Sequence, residues 1–154
     1  METDAASHFS TGGGPFIKPT WIVSTTAPAS VALDAFTRAL ADAKYRVIDS
    51  APSLRRLKAG SAMRFIASNL VGVELISRMR SWGFEARATM TAEQDAGRTR
   101  ILIMLDRLTH GSTIAVPYTA DALDRGAALV EGGHDLVVAP LTEGKGLHPS
   151  DAGR

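Results

Sequence analysis

The sequence predicts an α+β domain: a single antiparallel β-sheet of about five to seven strands with two helices packed on one face. Three observations predict it. Residues 84–108 alternate apolar and polar side chains on both sides of a glycine-containing connection, the periodicity of a half-buried hairpin. Residues 31–43 and 120–131 instead space their apolar side chains at intervals of three and four, as helices do. Finally, 154 residues fit one domain, large enough to bury a core without staples.

In the hairpin, Ala86, Ala88 and Met90 share one face, and Glu85, Arg87 and Thr89 share the other. The partner strand sets Ile101, Ile103 and Leu105 against Arg100, Leu102, Met104 and Asp106. Glu93-Gln94-Asp95-Ala96-Gly97 connects them, with Gly97 supplying the positive φ that a short connection needs.

Taken in order, residues 1–15 are small and polar with three consecutive glycines, a composition that buries little and predicts a flexible tail. A single domain is expected over 16–141, followed by a second flexible, Gly-rich tail over 142–154. Trp21, Ile22 and Val23 open a strand that Ala27-Pro28 closes. Ser30 is the expected N-cap of the first helix. Leu33, Phe36 and Leu40 face the sheet, while Asp34, Arg38 and Asp42 point away, Asp34 and Arg38 spaced to pair along the helix.

A second strand at 45–49 ends at the turn Ala51-Pro52-Ser53. Residues 54–58 and 62–67 flank Ala59-Gly60-Ser61 as a second hairpin. Residues 71–82 fit helix and strand spacing alike, and a strand or edge loop is preferred. After the turn His110-Gly111-Ser112, the β-branched run 113–116 predicts a strand stopped by Pro117. Thr119 then caps a helix with the stripe Leu123, Ala127 and Val130, ended by Gly132-Gly133. Residues 135–139 are read as a last strand, because inside a helix each glycine costs about 1 kcal/mol and Pro140 about 3 kcal/mol. Strand, helix and strand at 21–49 would then echo 113–139, with Ala32-Leu33-Asp34 matching Ala122-Leu123-Asp124 as a degenerate internal repeat.

Composition removes several chemistries. The absence of cysteine excludes disulfides, thiolate catalysis and sulfur-ligated zinc, and fits a reducing compartment. No apolar run reaches membrane-spanning length and no secretory signal is visible, so a cytoplasmic location is expected. His8, His110, His134 and His148 lack metal-ligand spacing, and neither metal nor cofactor is expected. His134-Asp135 is the one pairing of a base with an adjacent carboxylate, and His110 lies just past Asp106. Gly12-Gly13-Gly14 has neither a preceding strand nor a following lysine at phosphate-loop spacing.

Charge is unevenly spread. Residues 54–107 carry ten Lys or Arg against five Asp or Glu, and 108–154 carry three against six, which concentrates basic character on the sheet. Arg78, Arg80 and Arg87, beside Trp82 and Phe84 and with Arg98 and Arg100, are candidate anion-binding residues, because arginine forks match phosphate. The pI near 8.2 argues against nucleic acid as the dedicated partner.

Ile22-Val23 leading through Pro28 into the helix at 31–36, together with Asp95-Ala96-Gly97-Arg98-Thr99 between two strands, resembles the START-like helix-grip superfamily of polyketide cyclases and lipid-transfer proteins. The resemblance implies a curved antiparallel sheet gripping a long C-terminal helix around an apolar small molecule. The chain departs from that pattern where Gly132, Gly133 and Pro140 interrupt the expected course of the long helix, and it lacks a second short helix after Phe36.

These readings converge on a non-catalytic domain that binds an apolar or amphipathic small molecule between sheet and helices. Phe36, Leu40, Met90, Ile101, Ile103, Leu123 and Val130 line the expected space, and Met63, Met79 and Met104 are further candidates. Two other classes stay open: an interaction or assembly subunit, homo-oligomer included, docking through a sheet edge, and a small cyclase- or dehydratase-type enzyme. A closed apolar cavity favours the first, titratable groups inside it the third, and a filled core with exposed apolar patches the second.

Overall fold

The computed structural model describes residues 8–12, 16–59, 86–106 and 112–144. Its elements are β1 (Pro19–Thr25), α1 (Ala29–Asp42), β2 (Tyr45–Ala51), β3 (Leu54–Ala59), β4 (Ala86–Asp95), β5 (Arg98–Asp106), α2 (Ser112–Glu131), β6 (Leu136–Val138) and β7 (Thr142–Glu143). The seven strands form one antiparallel sheet in the order β2, β3, β4, β5, β1, β6, with β7 also pairing β1. The α+β class, the antiparallel sheet and, among the described residues, two helices are therefore as the sequence predicts.

Register explains the core. Leu57, Ala88 and Leu105 lie side by side across β3, β4 and β5, and Met90, Ile103 and Trp21 form the next inward row across β4, β5 and β1. Ile101, Val23 and Val138 continue it. Leu33, Phe36 and Leu40 of α1 and Leu123, Ala127 and Val130 of α2 join these side chains in one buried cluster. Two buried threonines tie segments distant in sequence: Thr99 donates to Ala27 O at 2.6 Å and Thr25 to Asp135 O at 2.5 Å.

The central hairpin is tighter than the five-residue connection read from sequence. Its strands run to Asp95 and restart at Arg98, leaving Ala96 and Gly97 at φ values of 51° and 79°. Positive φ at both central residues is the pattern of a type I′ turn, whose twist matches that of the flanking strands.

Several local readings are corrected. Residues 113–116 are not a strand but the first turns of α2, with Pro117 inside the helix and Thr119 in its body rather than at its cap. The reason is a helical stripe that begins earlier than expected: Val116, Ala120, Leu123, Ala127 and Val130 are all buried, and that burial outweighs the hydrogen bond a proline removes. The internal repeat falls with this strand, since the second unit opens with a helix. Ser30 lies within α1, whose N-cap is Pro28 without a side-chain cap bond. Asp34 bonds Arg55, at 3.3 Å, and among the described residues forms no ion pair with Arg38.

β3 pairs with β2 on one side and β4 on the other, so its hairpin partner is β2. Residues 62–67 and 71–82 lie outside the described residues. The N-terminal stretch expected to be a tail contributes to the core: Phe9 is buried against Trp21 and Phe36, with ring centroids 5.7 and 5.9 Å apart. Its neighbours hold it there, His8 N and Phe9 N donating to Asp124 Oδ1 at 2.9 and 3.1 Å and Trp21 Nε1 donating to Ser10 O at 2.8 Å. At the other end, β7 and the bond from Gly144 N to Lys18 O, 2.8 Å, tie the start of the expected C-terminal tail to β1.

Candidate functional site

All seven residues expected to surround an apolar space come together. Phe36, Leu40, Met90, Ile101, Ile103, Leu123 and Val130 belong to one cluster, each at 0 or 1% exposure. They belong to a core that also includes Trp21 and Phe9, the two largest fully buried side chains, both missing from the expected set. A groove of about 610 Å³ does exist, but it lies on the outer side of the helices. It is formed by α1 from Val31 to Ala41 and by Leu129 of α2, and none of the seven lines it.

Among the described residues, little titratable chemistry faces this core. Tyr45 OH and Thr119 Oγ1 share a buried hydrogen bond of 2.7 Å, and Tyr118 OH donates to Ala43 O at 2.5 Å. Burial, above all, pushes the Tyr45 hydroxyl well up, against the lowering effect of its Thr119 bond, so it stays protonated at neutral pH. Such a group ties β2 to α2 and is no general base. His134 and Asp135 do not act as a pair either. His134 N closes the end of α2 onto Val130 O at 3.0 Å, while the Asp135 carboxylate takes Arg98 Nη1 at 2.8 Å. His110 and His148 lie outside the described residues, and among the described residues no group of three His, Asp or Glu could hold a metal ion.

The candidate anion site is only partly described. Arg78, Arg80, Trp82 and Phe84 lie outside the described residues, as do Met63 and Met79. Arg87 sits on the sheet face away from the helices, in register with Asp106 on one side and Lys58 on the other. Arg100 lies opposite Glu93, and Arg98 opposite Asp95, with further bonds to Ser24 and Asp135. Each of these three arginines thus has an acidic residue opposite it in the ladder, while the excess of basic residues over 54–107, which already counts those acids, remains.

Among the described residues, the large exposed apolar side chains lie elsewhere. Val47 and Ile48 on β2 are 48% and 46% exposed, Val31 and Leu129 beside the groove 46% and 58%, and Ile17 and Val137 near β1 and β6 69% and 59%. Sequence reasoning missed all three pairs, because periodicity identifies strands and helices but neither which strand ends a sheet nor which helix face is left uncovered. Compared with protein-family models, with curated proteins and with solved structures, the chain matches none. Among the described residues no helix is long and apolar enough to cross a membrane.

Proposed function

We propose that the chain is a non-catalytic interaction module that docks an extended segment of a partner protein along the exposed edge of β2. One observation carries this reading: among the described residues β2 ends the strand order, and six of its seven residues are exposed, the aliphatic Val47 and Ile48 among them. An edge strand offers unpaired backbone donors and acceptors, to which an extended segment can add as one more strand. Adjacent aliphatic side chains supply apolar area, about 25 cal/mol for each Å² covered. The register shifts between Val47 and Asp49, leaving Ile48 as a bulge. A bulge works against open-ended stacking of edges, so a single added segment fits better than continuous sheet growth.

The test is selection from a random linear-peptide library on the immobilised protein, followed by amide hydrogen exchange. Enriched peptides should slow exchange within β2 and should bind at least ~10-fold more weakly to Val47→Lys/Ile48→Lys. Peptides that protect other strands, or that ignore this double substitution, would sink the reading.

The apolar-ligand reading keeps one supporting observation. α2 is a 20-residue helix whose buried stripe packs with an antiparallel sheet, and it ends before Gly132 and Gly133, so the glycines follow the long helix rather than interrupt it. That arrangement supports the START-like resemblance. Under it, a small apolar molecule placed within the described cluster would have to displace its side chains.

A further inference from the structure

We propose that α1 is a self-association surface, on which two copies of this chain pack their α1 helices antiparallel across a twofold axis at the level of Phe36. The observation behind it is a symmetry in the helix's outward stripe. Val31 and Ala41 lie five residues to either side of Phe36, Asp34 and Arg38 two, and Ala35 and Thr37 one. All six line the groove beside α2. A twofold axis at Phe36 sets each residue opposite its mate from the second copy. Asp34 then meets Arg38 of the other copy twice over, while each Val31 meets an Ala41 small enough to let the helices approach. A parallel pairing in register would put Asp34 against Asp34 and Arg38 against Arg38, which the charges oppose.

The single chain leaves these groups available. Arg38 is exposed and has no ion-pair partner among the described residues, although Asp34 lies one helical turn away. Asp34 reaches Arg55 instead, yet 72% of its side chain remains exposed. Val31 and Leu129 flank the stripe at 46% and 58% exposure, an apolar rim that a neighbouring helix would cover. Charge complementarity about one axis, and apolar area on both flanks, select a second copy as the occupant.

A helix of 14 residues is about 21 Å long, so the contact falls at the small end of stable interfaces and the dimer should be weak, with a Kd of about 10–100 μM. This surface is separate from the edge of β2, and neither reading requires the other.

Sedimentation of the full chain over a concentration series up to about 0.5 mM tests it. The wild type should pass from monomer to dimer, and raising the salt should weaken the dimer. Arg38→Asp alone and Asp34→Arg alone should each raise the Kd at least ~10-fold, because each puts like charges in both contacts. Mixing the two variants should restore a dimer, since every contact then joins opposite charges again. Circular dichroism confirms that each variant is folded, and Val47→Lys/Ile48→Lys should leave the sedimentation unchanged. A monomer throughout the series overturns the proposal. So does a dimer that tolerates both charge reversals, or a mixture that stays monomeric.

Discussion

Ala96 and Gly97 share a left-handed backbone, but only one of them is suited to it. At φ 51° the Ala96 Cβ crowds the following carbonyl, a cost of roughly 1–2 kcal/mol that glycine escapes and asparagine tolerates better. Ala96→Asn should therefore stabilise the protein by up to about 1 kcal/mol, creating the Asn-Gly pair that type I′ turns favour. Gly97→Val should destabilise it by about 1 kcal/mol or more, because a β-branched side chain resists φ near 79°. Chemical denaturation midpoints read both, and equal midpoints for the two variants would contradict the assignment. Gly97 was legible in the sequence because glycine announces positive φ, whereas alanine carries no such signal. Phe9 was illegible for another reason: one aromatic among small polar residues has no periodicity, and its burial depends on Trp21 and Phe36, which are distant in sequence.

At the scale of elements, α2 shows how a local rule loses to packing. Its β-branched start and Pro117 read as a strand and a stop, yet the spacing from Val116 through Ala120 to Leu123 already continued the helical stripe. The strands of the central hairpin were legible because alternation and a glycine turn agreed. The sequence also hid how closely the helices meet. A Cβ at Gly126 would lie 2.8 Å from Phe36 Cδ1 and 3.2 Å from Phe36 Cα, with Ala39 Cβ at 3.3 Å. Gly126→Ala gains about 1 kcal/mol of helix propensity but drives that Cβ into a ring held fast by the core. Gly126→Val adds two methyls to the same contact and should cost about 1–3 kcal/mol through overpacking. Thermal unfolding of the pair decides it: a valine variant as stable as the wild type would mean that α1 and α2 are not held at this distance.

Across the whole molecule, inside and outside play different parts. Periodicity identified which side chains turn inward, and Phe36, Leu40, Met90, Ile101, Ile103, Leu123 and Val130 do meet in one cluster. It could not order the strands, because β1 enters between β5 and β6 through pairings that are remote in sequence. The exposed edge at β2 was hidden for the same reason. The proposed function rests on the inside being solid and the working surface lying outside, and Ala88 is the place to test that. It is fully buried, between Leu57 and Leu105 in the ladder. The measurement is the unfolding free energy of Ala88→Phe, taken with and without a panel of fatty acids and terpenoids. A solid core predicts a loss of about 1–3 kcal/mol and no stabilisation of the wild type by any ligand. An unchanged or raised stability, together with aliphatic ligands that stabilise the wild type but not the variant, would contradict the account and return the function to the space between sheet and helices.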